Sequence, residues 1–160
     1  MFPNKRAVAC EMFSSAVCNI ECNYCYIPKV SEMKNIHKKI IEAIDNGTYI
    51  NLLKEMYGSG LTALGFWGTE PTLTLSKVQK IIPDLFREFP KLWEISWSSN
   101  FITSSKVTVD FLKALPKDKN LKVTIQASLD GYTEITDANR APGATKKITE
   151  NILELIRVPQ

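Results

Sequence analysis

The chain reads as an α/β protein of about four strand–helix units in series, and three observations carry that reading. Short β-type runs alternate with longer runs of helical apolar spacing along the sequence. Units repeating in this order imply parallel strands joined by right-handed crossovers. Unusual polar segments recur just after the strand-type runs, where such layouts place their functional loops.

Residues 7–13 form a first strand that delivers the chain to a cysteine-rich loop. Ser31 is the expected cap of a helix running to about Asn46, with Met33, Ile36, Ile40, Ile41 and Ile44 on one face and Gly47 as its stop. Thr48 starts a second short helix through Leu52, Leu53 and Met56, ended by Gly58-Ser59-Gly60. Residues 61–67 read as a buried strand. Ser76 is the expected cap of a third helix, with Val78, Ile81, Ile82, Leu85, Phe86 and Phe89 inward and a kink at Pro83. Residues 93–99 read as a strand, 107–115 as a helix ended by Pro116, and 121–128 as a strand with Leu121, Val123 and Ile125 to one side. Thr145 is the expected cap of a last helix with Ile148, Ile152, Leu155 and Ile156 inward.

The 160 residues suffice for one domain, 1–160, with a real core, and no linker or low-complexity tract divides them. A net charge of +3, with no basic run longer than Lys38-Lys39 or Lys146-Lys147, argues against nucleic acid or an anionic membrane as partner. No apolar run approaches a membrane span. The opening apolar stretch is interrupted by Cys10 and Glu11 and does not read as a secretory signal, so a cytoplasmic protein is expected. In a reducing cytosol, clustered thiols bind metals more often than they pair.

Three of the four cysteines cluster: Cys18, Cys22 and Cys25 form a C-x3-C-x2-C loop. Structural zinc takes four protein ligands, and ferredoxin-type clusters take four cysteines. A three-cysteine loop can hold a cubane and leave one iron open to a small molecule. Gly68-Thr69-Glu70-Pro71 follows the second strand, Ser98-Ser99-Asn100 ends the third and Ser128-Leu129-Asp130-Gly131 ends the fourth, so all are expected on one rim with the cysteines.

This spacing, with Tyr26 after the last cysteine, resembles the radical S-adenosylmethionine (SAM) enzymes. The resemblance implies a partial, TIM-like β/α barrel and a [4Fe-4S] cluster on Cys18, Cys22 and Cys25, with SAM's methionine part on the fourth iron. It implies reductive cleavage of SAM to a 5′-deoxyadenosyl radical that takes hydrogen from a C–H bond, with no catalytic residue beyond the cluster. Tyr26 matches the family's aromatic near the adenine. Gly68-Thr69-Glu70-Pro71 is similar to the family's Gly-Gly-Glu-Pro segment, which accepts from SAM's ammonium; Thr69 departs from the second glycine. Ser98 and Asn100 resemble the polar residues near SAM's methionine or ribose, with Phe101 where glycine is common. Ser128 and Asp130 match a fourth-strand signature, and Asp137-Ala138-Asn139-Arg140 resembles a segment whose arginine holds the SAM carboxylate. The flavour is closest to the peptide- and protein-modifying branch, which includes sulfatase-maturating and SPASM-containing enzymes. A flavodoxin- or ferredoxin-like reductant and a peptide, protein or small-molecule substrate are implied. The family core has six units against four here, and its fifth-strand Gly-x-Ile-x-Gly segment has no counterpart. A missing C-terminal region or a partner chain is therefore expected, with the fourth strand as an associating edge.

Two other readings stand beside this one. The chain is a non-catalytic cluster- or SAM-binding subunit, or it is a zinc-binding interaction module whose site is completed by His37 or Cys10. Taken singly, Cys10 reads as a small buried residue and His37 as a solvated one on a Lys-rich helix face. Trp67, Trp93 and Trp97 read as core or rim packing, and Tyr24 as a cluster shield or a plain loop residue.

Overall fold

A computed structural model describes residues 8–27 and 30–157. Its strands are β1 (Ala9–Ser15), β2 (Ala63–Gly68), β3 (Glu94–Ser99) and β4 (Lys122–Ala127). Its α-helices are α1 (Ser31–Asp45), α2 (Thr48–Tyr57), α3 (Leu75–Glu88), α4 (Ser105–Ala114), α5 (Thr133–Asn139) and α6 (Ala144–Ile156), and one 3-10 turn spans Pro71–Thr74. The strands form one parallel sheet in the order β1-β2-β3-β4. The α/β class and the four strand–helix units are thus as the sequence predicts.

Alternation along each strand decides which side chains reach the helices. Met12, Leu64, Phe66, Ile95 and Trp97 are buried in one core with Ile44, Leu53, Val78, Ile82 and Leu85. Glu11, Gly65, Trp67, Glu94, Ser96, Ser98, Lys122, Thr124 and Gln126 line an open polar groove of about 400 Å³. Phe111 of α4 stands edge-on to Phe66 and Trp97, with centroids 5.8 and 5.5 Å away and interplanar angles of 83° and 86°. Phe111→Ala removes both edge contacts and leaves a ring-sized void. We expect a stability loss of about 3–5 kcal/mol in urea unfolding.

Several local expectations are corrected. The first strand starts later, at Ala9, and Ala7 lies outside the described residues. Ser31 is inside α1, whose N-cap is Val30 with no side-chain bond, and Ile36 of that helix is exposed. Leu52 and Met56 of α2 are likewise exposed. Ser76 does not cap α3: the turn Pro71–Thr74 runs directly into Leu75, and the helix continues through Pro83. α4 begins earlier than residue 107 because the Ser104 hydroxyl accepts from Lys106 N–H at 3.3 Å. Leu121, Val123 and Ile125 are half-buried against the core. Thr145 does not cap α6. Its N–H and hydroxyl donate to Asp137 Oδ1 at 2.8 and 2.7 Å, and Gly143 N–H donates to Asp137 Oδ2 at 2.9 Å. Asp137 therefore satisfies the amides that open α6. Ile156 is 73% exposed rather than inward.

α5 has no counterpart in the sequence reading, because residues 133–139 offer no apolar stripe. A second apolar cluster of Phe101, Ala144 and Ile148 seats α6 beside β4, with Ile125 and Ala127 packed on it. No helix among the described residues is long and apolar enough to cross a membrane.

Candidate functional site

Parallel strands end on one rim, so the four post-strand loops meet. A cavity of about 120 Å³ opens there. It is lined by Cys18, Cys22 and Cys25 with Gly68, Thr69, Glu70, Ser98, Asn100, Ser128 and Arg140. Two of the expected residues, Tyr26 and Asp130, do not line it. Tyr26 is 84% exposed.

The cysteine loop is tied down by neighbours rather than by its own thiols. β1 loses register between Phe13 and Ser15, and Ser14 Oγ there donates to the Trp67 carbonyl at 3.1 Å. Such a bulge re-aims the chain at a functional rim. Thr69 N–H donates to the Ser15 carbonyl at 3.0 Å, and its hydroxyl donates to the Val17 carbonyl just before Cys18. Thr69 is therefore an anchor for the chain entering the cysteine loop. On the far side, Asn23 donates to Asn139 O at 2.8 Å from its main chain and to Ala138 O at 2.7 Å from its amide. Gly68 has φ +143°, and a Cβ there would overlap the Ser15 backbone. Gly68→Ala must part β1 from β2 at the rim. We expect a loss of more than about 1 kcal/mol and a lower melting temperature.

Glu70 is 1% exposed. Its Oε1 accepts from Thr72 N–H at 3.2 Å and from Ser99 Oγ at 2.9 Å, and its Oε2 accepts from Asn100 N–H at 2.7 Å. All three donors are neutral, and no ion pair reaches this carboxylate among the described residues. Ser99, which the sequence reading left without a role, is buried at the centre of this network. It also accepts from Thr72 Oγ1 at 2.8 Å and Phe101 N–H at 3.0 Å. Strand alternation is the one signal that places it with buried Trp97 rather than with exposed Ser98.

Asp130 turns away from the cavity to hold Arg140, with Oδ1 2.6 Å from Nη2, and it accepts from the Tyr24 hydroxyl at 2.9 Å. The Arg140 guanidinium lies over the Tyr24 ring at 5.6 Å, so Tyr24 packs on the arginine that faces the thiols. The Arg140 side chain is 11% exposed, and its buried Nε–H has no partner among the described residues. Burial alone pushes the Asp130 carboxyl up, but the bonds from Arg140 and Tyr24 and the Arg140 charge outweigh it and hold it below the usual range. The folded value is depressed, so this pairing stabilises above the unfolded carboxylate value of about 3.9 and is lost as pH falls through the lower folded value. We expect Tyr24→Phe to unfold at higher pH than wild type in an acid titration followed by circular dichroism.

Burial raises the Cys22 thiol, as do Cys18 and Cys25, against a lowering by Arg140. Metal binding reverses that preference by taking the thiolate. Ser98 donates to Gln126 Oε1 at 3.4 Å at the mouth of the open groove. His37 is not solvated as expected: it is half-buried, its Nδ1 accepts from Ala16 N–H at 3.4 Å, and burial lowers its pKa. Cys10 is half-buried beside Tyr57 in β1, and neither it nor His37 lines the cavity. Trp97 is core, whereas Trp67 and Trp93 are half-exposed.

Among the described residues, no three His, Cys, Asp or Glu side chains converge on one ion position. Comparison with family models, curated proteins and solved structures found no match.

Proposed function

We propose that this chain is a radical SAM core that binds a [4Fe-4S] cluster through Cys18, Cys22 and Cys25 and holds SAM beside it. One observation carries the reading: a single cavity brings the three thiols together with the buried Glu70 carboxylate, which meets no countercharge among the described residues, and the half-buried Arg140. A zwitterionic amino-acid moiety complements that pair. An anion buried without a countercharge is costly, so the Glu70 carboxylate favours an ammonium beside it. The Arg140 guanidinium lines the same cavity, and a guanidinium pairs well with a carboxylate. Ser128 and Ser98 offer hydroxyls at the same cavity. When bound, the cluster and SAM supply reductive cleavage of the sulfonium and a 5′-deoxyadenosyl radical for C–H abstraction. The chain's own work is to orient the ligands and shield them from water.

The fold in this reading is a partial, TIM-like β/α barrel in the reducing cytoplasm, fed by a flavodoxin- or ferredoxin-like reductant. The substrate is a peptide, protein or small molecule. β4 has no strand on its outer edge among the described residues. That favours a second reading, in which the chain is a non-catalytic subunit that carries the cluster and a partner chain completes the SAM and substrate surfaces.

Anaerobic reconstitution with iron and sulfide, followed by electron paramagnetic resonance with and without SAM, tests both. A reduced cubane signal that changes with SAM supports the first reading. A cluster indifferent to SAM supports the second. Zinc without iron after aerobic purification, and no cluster on reconstitution, sinks both.

A further inference from the structure

Asn100 is expected near SAM, yet its side chain is already committed elsewhere. It is 5% exposed. Its Oδ1 accepts from Ile102 N–H at 2.9 Å, which fixes the amide's oxygen end. The Nδ2 end therefore faces the cysteine loop, donating to Cys18 Sγ at 3.6 Å and to Asn19 Oδ1 at 2.9 Å. Its main-chain N–H donates to Glu70 Oε2. The next residue explains how this aim is kept. Phe101 has φ +53°, the only positive value at a non-glycine residue among those described. An L-residue held there costs energy and persists where the surroundings over-determine it. Here the ring is buried with Ala144 and Ile148, and buried Asn151 donates from Nδ2 to the Phe101 and Thr103 carbonyls at 2.6 and 3.0 Å. The turn after β3 is thus braced by α6 in the one conformation that points Asn100 at Cys18.

We infer that Asn100 is a positioning residue for the first cluster ligand, and that its N–H···S bond to Cys18 raises the cluster's reduction potential. The inference rests on the cluster reading above. A donor on a thiolate sulfur stabilises the more negative, reduced state more than the oxidised one, so it eases reduction. A second bond from the same amide holds the Asn19 side chain beside the ligand.

Asn100→Asp tests this most directly, since it keeps the acceptor for Ile102 N–H and removes the donor; Asn100→Ser is the second variant. Each is compared with wild type by far-UV circular dichroism, iron content, and a redox titration followed by electron paramagnetic resonance. The expected result is wild-type folding and iron content with a more negative midpoint potential, further shifted for the carboxylate than for the hydroxyl. A folded variant that takes up no iron also supports the assignment, because it shows that Cys18 needs its donor to bind. An unchanged potential in an iron-loaded variant overturns the inference alone and leaves the cluster reading standing. Two variants that both fail to fold make Asn100 a packing residue and likewise overturn it. A wild-type chain that takes up no cluster overturns the cluster reading and the inference together.

Discussion

Cys22→Ala, reconstituted anaerobically, is expected to take up no SAM-responsive cubane, while the apo-protein is expected to keep the wild-type fold. Both halves follow from how the loop is held. Cys22 is the middle thiol of the three that line the cavity, and Arg140 and the other two cysteines act on it electrostatically. Removing it leaves two ligands at the rim, too few for three irons of a cubane. The loop itself hangs on Thr69, Asn23 and Asn19, none of which the substitution touches. The thiol is half-buried, so truncation costs the apo-protein no more than about 1 kcal/mol. Iron and sulfide analysis with a thermal melt of the same samples reads both effects. Cys10→Ala is the matched control: that residue lies in β1 away from the cavity, and its variant is expected to retain a full cluster. Full iron content in Cys22→Ala, with the SAM response intact, sinks the three-cysteine ligand set.

The strands and the inward faces of α1 and α3 were legible because burial imposes a period. Ile40 and Ile44, or Val78, Ile81, Ile82 and Leu85, cannot be exposed together without losing the core. Helix starts were less legible because a capping residue competes for tertiary partners. Thr145 has a cap's chemistry but gives its hydroxyl to Asp137, a partner supplied by an unforeseen helix. That helix, α5, is stabilised by what it carries rather than by an apolar stripe. Its C-cap is Arg140, and the Asp130–Arg140 pair closes it back over the rim. The same event explains why Asp130 does not line the cavity. Its carboxylate meets the Arg140 guanidinium where the chain returns over the rim, whereas Arg140 still lines the cavity. The cysteines and Glu70 were legible as a motif. The burial of Glu70 was not, since glutamate is seldom buried and the donors that permit it come from distant Ser99 and Asn100.

Glu70→Gln is the substitution that separates SAM binding from cluster binding. The carboxylate accepts three hydrogen bonds from neutral donors. An amide has one acceptor end. Ser99 can reverse its hydroxyl, but Thr72 N–H and Asn100 N–H cannot, so one of these buried donors loses its partner. That costs about 1–3 kcal/mol of stability. The charge goes too, and with it the complement to a buried ammonium, worth about 2–5 kcal/mol of affinity when one partner is truncated. Cluster content should stay at the wild-type level, because Glu70 is not a ligand and the loop anchors through Thr69 survive. The expected outcome is a reduced cluster whose paramagnetic resonance no longer changes at SAM concentrations that saturate wild type. A Glu70→Gln protein that binds SAM as tightly as wild type reduces Glu70 to a strut of the rim. The loss should not be independent of position 100, because Asn100 bonds Glu70 through its main chain and Cys18 through its side chain. A double-mutant cycle between Glu70→Gln and Asn100→Asp, read as midpoint potential and SAM affinity on the same samples, should therefore be non-additive. Additive effects mean that the two ends of residue 100 act separately, and that the ammonium site and the first cluster ligand are neighbours without being coupled.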